Sequence, residues 1–377
     1  MTVIRAGGPK HRQVFSTLRR EIESGRWGRG ERLPSEAELV QRFGASRITV
    51  GRAVRDLQAA GLVERRAGSG TYVRSEPAGP ALSFGLLIPD LGDADIFESI
   101  CQGMMASPRA QPHALLWGSL PAGGSKAERA WHLCRQYIDR RVSGVFFAPL
   151  ERTADKDNVN LMMAEALDAA GIPVVLLDRT VLPYPQRGHH DLVGIDNRRA
   201  GYIVTDHLLR AGARRVAFVA EPLAAATVDA REAGYREALY RSKVAVDPAL
   251  IQSLDPSETA AVRALVEGSA PDAIVGANDR TAARLMQTLA AIGREVPTDV
   301  RLTGIDDSEV ASLLPVPLTT LRQPTRAIGD AAISAMLERI ARPSLPPRDI
   351  LLPCDLVIRA SCGGVGSGSV GAGGEVS

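Results

Sequence analysis

Short apolar runs alternate with amphipathic segments from residue 83 onward. The runs have the length and composition typical of strands buried in a parallel sheet, and they cover residues 83–88, 114–117, 144–148, 173–178, 214–220, 272–277 and 300–305. Between them, apolar residues recur near helical spacing in segments 126–141, 161–170, 198–209 and 280–292. This alternation predicts an α/β fold whose mostly parallel sheets are covered by helices on both faces.

The first 75 residues follow a different pattern, with three helical segments and then two short strands. The pattern of residues 11–24 predicts a first helix. Ser35 and Glu38 have the spacing of a capping box, which predicts the start of a second helix. Ser46 caps a third helix after a tight glycine turn, which is typical of a helix-turn-helix. Segments 62–66 and 71–74 predict a β-hairpin, the wing of a winged helix.

The net charge of +2 is unevenly distributed along the chain. Residues 1–76 contain 15 Lys and Arg against 8 Asp and Glu, a balance of +7, whereas the remaining residues have a balance of −5. This basic head (residues 1–76) and acidic body (the remaining residues) indicate that the head binds a polyanion. Charge alone fits DNA, RNA or an anionic membrane.

Length and composition narrow the classes further. The chain has 377 residues, 45% of them hydrophobic and 23% charged, which excludes wholesale disorder and suits two or three domains. It has no run of ~18 uncharged apolar residues and no apolar signal segment, so we predict a cytoplasmic protein without a membrane partner. The four cysteines lack CxxC spacing, and neither a zinc cluster nor a disulfide framework is indicated.

Residue patterns in the head resemble the gluconate-repressor (GntR) type of winged helix. The resemblance rests on Gly30-x-Arg32-Leu33-Pro34-Ser35-Glu36-x-x-Leu39, on Phe43-x-x-Ser46-Arg47-x-Thr49-Val50 and on Gly68-x-Gly70-Thr71-Tyr72-Val73. It implies that the third helix enters the major groove of double-stranded DNA and that the wing tip approaches the minor groove. The residues that the resemblance places on DNA are Arg47 and Thr49 at bases or adjacent phosphates, Arg32, Ser35 and Arg52 at the backbone, and Ser69 and Gly70 at the wing tip.

One position departs from that family. Gly51 stands inside the third helix, where the family often has arginine. A glycine at this position costs roughly 1 kcal/mol of helix stability and removes a potential contact. The family's preference for particular DNA bases is therefore not assigned to this chain. The alternative for Arg47 and Arg52 is an ordinary solvated helix face.

Polar residues stand at the ends of three predicted strands in the body. They are Asp178-Arg179, Asn278-Asp279 and Asp306-Asp307, and Arg231 lies near the start of a predicted helix. The carboxyl ends of parallel strands are where α/β sheets bind ligands, and these groups suit the hydroxyls of a sugar. We expect no cofactor and no metal site, since the His189-His190 pair lacks a carboxylate or histidine at helical spacing and is predicted to be exposed loop.

Residues 82–361 resemble the effector domain of lactose/galactose-type repressors, whose fold is shared with periplasmic ribose-binding proteins. The motifs are Val193-Gly194-Ile195-Asp196-Asn197-x-x-Ala200-Gly201, Arg231-x-x-Gly234-Tyr235, Ala277-Asn278-Asp279, Gly304-Ile305-Asp306-Asp307 and Pro317-Leu318-Thr319-Thr320-Leu321-x-Gln323-Pro324. The resemblance implies a homodimer and two α/β subdomains with the ligand in the cleft between them. It also implies that the chain crosses the hinge near residues 180, 322 and 342.

Ligand contacts follow from the same resemblance. The residues implied are Asp306, Asn278, Arg231 and Arg179, then Gln323 and Asp178, and Asp95 and Phe97 in the loop after the first strand. For Asp95 the alternative is a solvated loop, and for Phe97 it is core packing. The prominent aspartates have an alternative as helix caps, which we prefer for Asp279.

The combination of head and body resembles the arabinose-repressor type of transcription factor. It predicts a winged-helix domain at 1–75, a linker at 76–81, an effector domain at 82–362 and a disordered glycine-rich tail at 363–377. Subdomain 1 would comprise 82–180 and 323–342, and subdomain 2 would comprise 181–322 and 343–362. The domain combination implies a dimeric, ligand-responsive repressor of a carbohydrate operon that binds a palindromic operator and is not an enzyme.

Two other classes remain as alternatives. One is a solute-binding protein of a transporter, and the other is an α/β enzyme with a nucleic-acid-binding tether. The effector itself stays open between a neutral sugar, a sugar acid and a sugar phosphate.

Overall fold

A computed structural model describes residues 10–28, 30–60, 62–66, 69–73, 81–89, 95–118 and 123–364. The chain separates into two compact units, residues 1–81 and 82–377. Most of the predicted linker, residues 76–80, and most of the predicted tail, residues 365–377, lie outside the described residues. Among the described residues, no helix combines the length and the apolar character that crossing a membrane requires.

The first unit is a winged helix, which confirms the predicted fold class. Its elements are α1 (Lys10–Glu23), α2 (Glu36–Phe43), α3 (Arg47–Ala59), β1 (Val63–Arg66) and β2 (Gly70–Val73). The two strands pair antiparallel, and α1 packs on α3 around buried side chains that include Leu18, Val50 and Leu57. Ser35 and Glu38 form the predicted capping box, and Gly44, in the left-handed region, ends α2.

The second unit contains two six-stranded sheets with helices on their faces. The first subdomain, as defined by its sheet, holds β3 (Ser83–Leu87), α4 (Asp95–Ala106), β4 (Ala114–Leu116), α5 (Lys126–Asp139), β5 (Gly144–Phe147), α6 (Lys156–Ala169), β6 (Val174–Leu177), β7 (Asp191–Ile195), α12 (Thr325–Ala341) and β13 (Asp349–Leu352). Its strand order is β13-β7-β6-β5-β3-β4, with all neighbours parallel. The carboxyl ends of these strands therefore share one edge.

The second subdomain repeats this arrangement. It holds α7 (Asn197–Arg210), β8 (Val216–Ala220), α8 (Ala226–Arg241), β9 (Ile251–Ser253), α9 (Thr259–Ser269), β10 (Ala273–Gly276), α10 (Asp279–Ala291), β11 (Arg301–Asp306), α11 (Glu309–Leu313), β12 (Thr319–Arg322) and β14 (Asp355–Val357). The strand order is β14-β12-β11-β10-β8-β9, parallel except for the antiparallel pair β12–β14. Two parallel-sheet subdomains are the predicted architecture.

Two of the three hinge crossings lie further along the chain than the resemblance implies. The chain passes between the sheets after β7, between β12 and α12, and between β13 and β14. Residues 191–195 and 349–352 thus belong to the first subdomain, because β7 pairs with β6 and β13 pairs with β7. The buried Asp191 fixes this end of β7, since its carboxylate accepts hydrogen bonds from Arg339 and Arg348.

Candidate DNA-binding surface and ligand cleft

The arginines expected to contact DNA are exposed in the first unit. Arg47 begins α3, leaves 85% of its side chain exposed and lies 4.0 Å from the carboxylate of Glu36. Arg65 of β1 pairs with the same carboxylate, which brings charged residues of α2, α3 and β1 together. Arg32 and Arg52 are also exposed. Arg65 was not among the predicted DNA contacts.

Ile48 is a second residue that the sequence reasoning missed. It follows Arg47 in the first turn of α3 and is 82% exposed, although isoleucine is usually buried. If α3 enters the major groove, as the resemblance implies, an apolar side chain at this point is suited to the methyl group of thymine. The signal in the sequence was an apolar residue off the buried face of the helix.

Two of the predicted contact residues have their hydroxyls in helix caps. Ser35 accepts a hydrogen bond from the backbone N–H of Glu38, and Ser46 lies 2.8 Å from the Thr49 hydroxyl. Ser35 and Thr49 therefore shape the helix-turn-helix whatever they contact on DNA.

The wing tip depends on the close approach of Gly70 to Arg32. Gly70 has φ 128°, and a Cβ atom there would lie 2.8 Å from Nε of Arg32. The backbones of Arg32 and Tyr72 form an isolated antiparallel β-bridge. The Tyr72 hydroxyl lies 2.6 Å from the hydroxyl of Ser69. By contrast, a Cβ atom at Gly51 would lie 3.8 Å from Glu36, an ordinary contact.

Three charged residues, Asp178, Arg179 and Glu151, follow strand ends of the first subdomain on one side of the cleft. Asp178, with φ 67°, and Arg179 follow β6 and are both buried. The Arg179 guanidinium lies 2.9 Å from the carboxylate of Glu151, 3.5 Å from that of Asp178 and 5.2 Å from the centre of the Phe97 ring. Phe97 is buried in the core, as the core-packing alternative predicts, and its ring also contacts the Arg179 guanidinium. Asp95 begins α4, but its side chain lies outside the described residues.

Arg231 organises the facing side of the cleft in the second subdomain. It is buried, donates from Nε to Asn197 at 2.9 Å and from Nη1 to the carbonyl of Ala277 at 2.7 Å, and lies 3.5 Å from the carboxylate of Asp306. Gln323 donates to Asp306 at 2.7 Å. Because Gln323 lies on the crossing between β12 and α12, Asp306 is bonded directly to the hinge.

The expectation that Asp279 caps a helix is wrong. Asn278 is the N-cap of α10, since its side-chain oxygen accepts from the backbone N–H of Thr281 at 2.8 Å. Asp279 is buried and accepts from the Thr320 hydroxyl at 2.5 Å and from the backbone N–H of Ser308 at 2.9 Å. Asp279 thereby fastens α10 to β12 and to the start of α11.

Contacts of Arg152 join the two subdomains across the cleft. Its backbone N–H donates to the carbonyl of Leu223 at 2.8 Å, and its guanidinium lies 3.3 Å from the carboxylate of Glu221. Arg284 approaches the same carboxylate at 2.8 Å. The sequence reasoning missed these residues, although Glu221 directly follows β8 and carries the same strand-end signal as Asp178.

Burial sets the protonation of the cleft carboxyls. It raises the pKa of Asp306 to about 7, against the opposing effect of Arg231. Burial also raises the pKa of Asp178 and brings that of Asp279 to about 6. For Glu151 burial opposes ionisation too, but Arg179, Arg152 and Arg231 outweigh it and hold the pKa of Glu151 below its usual value.

An open cavity of about 670 Å³ extends from Asp306 and Gln323 along the cleft. Its walls come from α4 of the first subdomain, with Ser99 and Gln102, and from the start of α11 in the second, with Ser308. Its size is within the range of small-molecule sites.

The expectation of an exposed His189-His190 loop is wrong for His190, whereas His189 is exposed, and both side chains have a carboxylate partner that is distant in the sequence. His190 is buried, and its Nε2 lies 3.0 Å from the carboxylate of Asp168 in α6. The Nε2 atom of His189 lies 2.8 Å from the other oxygen of that carboxylate.

Two family models match the chain. The model of the gntR family of bacterial regulatory proteins matches residues 10–73, and the model of the periplasmic binding protein-like domain matches residues 205–362. The arabinose metabolism transcriptional repressor of Geobacillus stearothermophilus is 27% identical over 365 residues, 94% of this chain and 97% of that protein. The regulator CelR of Thermobifida fusca is 33% identical over 61% of this chain and 65% of its own length.

Solved structures agree with these matches. The complex of the transcriptional regulator CelR with cellobiose superposes with a TM-score of 0.63 at 26% identity, covering 84% of this chain and 91% of that one. The transcription regulator GntR from Chromobacterium violaceum gives 0.59 at 27% identity, over 75% of this chain and all of that one. The chain is a transcriptional regulator that joins a gntR-family DNA-binding domain to a periplasmic-binding-protein-like domain, and the proteins it is similar to are regulators of the GntR/LacI-type group.

Proposed function

We propose that the protein represses carbohydrate-utilisation genes and that a neutral sugar in the cleft controls its affinity for operator DNA. The observation that carries this proposal is the charge balance of the cleft. Around it four carboxyl groups and four guanidinium groups contact one another, namely Glu151, Asp178, Glu221 and Asp306 with Arg152, Arg179, Arg231 and Arg284, and of these eight residues Asp306 is the one that also lines the open cavity. The cavity itself is lined by four acidic residues, Glu98, Asp306, Asp307 and Glu309, and by one arginine, Arg322, so it offers no net positive charge to a phosphate or a sugar acid.

Sugar hydroxyls suit such a site because each can donate to a carboxylate and accept from a guanidinium. Asp178 supports this reading, since its Oδ1 atom is buried and has no hydrogen-bond partner within the described part of the chain. Two relatives point the same way: one is named for arabinose metabolism, and the other was solved with cellobiose. The proposed contacts are the predicted set of Asp178, Arg179, Arg231, Asn278, Asp306 and Gln323, flanked by Phe97 and Asp95.

Contacts at the hinge can couple ligand binding in the cleft to the arrangement of the two subdomains. Asp306 is bonded to Gln323 on the crossing strand, and Arg152 joins the subdomains at Leu223 and Glu221. A ligand that exchanges bonds with these groups favours one arrangement of the subdomains over another, which is a population shift.

DNA binding follows from the gntR-family head. We propose that the protein acts in the cytoplasm as a homodimer on a palindromic operator, because two-fold symmetry calls for two half-sites. Both heads must bind together for full avidity, so a modest change in their spacing alters affinity strongly. The predicted contacts Arg32, Ser35, Arg47, Thr49, Arg52, Ser69 and Gly70 remain our proposed DNA surface.

A selection from a random duplex library with the full-length protein tests the DNA half of the proposal. The selected sequences should contain two inverted half-sites, and binding should weaken with salt at a log–log slope near −0.9 per neutralised phosphate. An asymmetric single site, or salt-independent binding, would contradict it.

Fluorescence anisotropy on the selected duplex tests the sugar half. Arabinose, cellobiose and other neutral sugars are titrated beside the matching aldonic acids, and only neutral sugars should change operator affinity. A response to the acids alone would contradict the neutral-ligand proposal. Chemical turnover of a bound sugar would favour the alternative of an enzyme with a DNA-binding tether.

A further inference from the structure

We propose that Asp168, His189 and His190 form a binding site for a divalent transition-metal ion on the first subdomain. The three side chains offer one carboxylate oxygen and two imidazole nitrogens, and their candidate ligand atoms all lie within 4.8 Å of one another. They come from the last turn of α6 and from the loop just before β7. This site is separate from the proposed sugar cleft and does not depend on its function.

Ligand spacing in the cluster is already close to that around a metal ion. The Nε2 atoms of His189 and His190 lie 2.8 and 3.0 Å from the two oxygens of Asp168. Ligands at ~2.0–2.2 Å from a tetrahedral zinc ion stand roughly 3.3–3.5 Å apart, so each imidazole nitrogen needs to move only about half an ångström away from its carboxylate oxygen. Without a metal, the same atoms satisfy one another through hydrogen bonds.

The backbone that carries the two histidines is held in place. The Arg187 guanidinium donates to the carbonyl of His190 at 3.0 Å, and the next residue, Asp191, is anchored by Arg339 and Arg348. The His190 ring is largely buried, and the two rings lie 4.2 Å apart. A site whose ligands are preorganised in this way loses little conformational freedom on binding.

Charge and exposure leave room for an ion. The Arg187 guanidinium, which donates to the His190 carbonyl, is itself paired with the carboxylate of Asp349, 2.8 Å from its Nη2 atom. His189 remains 73% exposed, so water can complete the coordination shell. Three protein ligands with an open position suit zinc, and imidazole also suits nickel, cobalt and copper, whereas magnesium and calcium prefer oxygen ligands alone.

Isothermal titration of the untagged, full-length protein with zinc, cobalt and magnesium chlorides tests the site. We expect one zinc ion per chain, bound at least a hundredfold more tightly than magnesium. His189→Ala and Asp168→Asn should each weaken zinc binding at least tenfold, whereas His132→Ala, which removes a half-buried histidine of α5 outside the cluster, should leave it unchanged. Cobalt should give visible bands without thiolate charge transfer, which separates this cluster from the four cysteines.

Several outcomes would overturn the proposal: zinc binding no tighter than magnesium binding, equal affinity in the wild type and the His189→Ala variant, or thiolate bands with cobalt. His189 is exposed, so its alanine variant should fold normally, and metal-free melting temperatures check this point. Zinc should raise the melting temperature of the wild type and of His132→Ala, but not that of His189→Ala or Asp168→Asn.

Discussion

Two arginines show how differently the two units of this protein use positive charge. Arg231 in the cleft leaves 5% of its side chain exposed and has acceptors from Asn197, Ala277 and Asp306 around its guanidinium. Arg47 in the head leaves 85% exposed and has a single carboxylate 4.0 Å away. The cleft arginine is satisfied by its own domain, whereas the head arginine is free to meet a partner.

This difference matches what each surface is proposed to recognise. A polyanion such as DNA favours exposed, uncompensated cations, whose binding releases counterions. A small neutral ligand instead needs buried polar groups whose positions are fixed in advance. Backbone strain is concentrated in the same place, since Asp178, Asp306 and Asp307 at strand ends of the cleft all have positive φ.

The largest expected effect comes from removing the cleft arginine. Arg231→Ala should lower the unfolding free energy of the effector domain by ~3–5 kcal/mol, because it leaves buried carboxylates without their cation. Arg210→Ala in α7, an exposed arginine of the same subdomain, serves as the control and should change little. Denaturant unfolding measures both, and equal stability of the two variants would mean that burial does not distinguish these arginines.

Removal of the head arginine should affect DNA binding and leave stability unchanged. Arg47→Ala should weaken binding to the selected operator by ~1–3 kcal/mol if the side chain reads a base. Arg263→Ala in α9 changes the net charge equally from an exposed position outside the head and should have no effect. Gel shifts on operator and scrambled duplexes decide the point: equal loss on both would limit Arg47 to phosphate contact.

A change of charge at Asp306 tests the balance between affinity and stability in the cleft. Burial raises the pKa of Asp306 to about 7, so the ionised form is disfavoured in the folded state. Stability should therefore rise as the pH falls from about 7 towards the unfolded value near 3.9. Each pKa unit by which the folded-state carboxyl exceeds the unfolded one costs the ionised protein about 1.4 kcal/mol of stability. Asp306→Asn carries no charge, so at pH 8 it should be more stable than the wild type by about this amount per unit.

That stability difference should have almost vanished near pH 4, where the wild-type carboxyl is protonated in the folded state and about half protonated in the unfolded state. Thermal melting at pH 4 and pH 8 measures it, and effector titration should show weaker binding by the same variant. A wild type as stable as the variant at pH 8 would contradict the raised pKa.

The smallest expected effect concerns the helix of the head. Gly51→Ala should stabilise the first unit by ~0.5–1 kcal/mol, because the new methyl group meets only an ordinary contact with Glu36. Gly70→Ala should destabilise it, since φ is 128° and Arg32 lies too close. Thermal melting compares the two, and destabilisation by Gly51→Ala would show that α3 needs glycine at this point.

Much of the fold could be predicted from local patterns in the sequence. All seven predicted apolar runs contain strands of the two sheets, and the capping box at Ser35 forms as expected. Such features depend on residues a few positions apart, so they can be read directly. The strands β7, β13 and β14 follow a weaker pattern, and their assignment to a sheet set the hinge crossings that the sequence misplaced.

The sequence by itself determined the two units, the α/β class, the basic head and the strand-end residues of the cleft, because periodicity, capping and charge are local properties. Only the tertiary structure decided which of these residues meet. Arg231 reaches Asn197 over 34 residues, His190 reaches Asp168 over 22, and Arg339 reaches Asp191 over 148. Such pairs depend on strand order and helix packing, which result from burial of the whole core and leave no periodic signal in the chain.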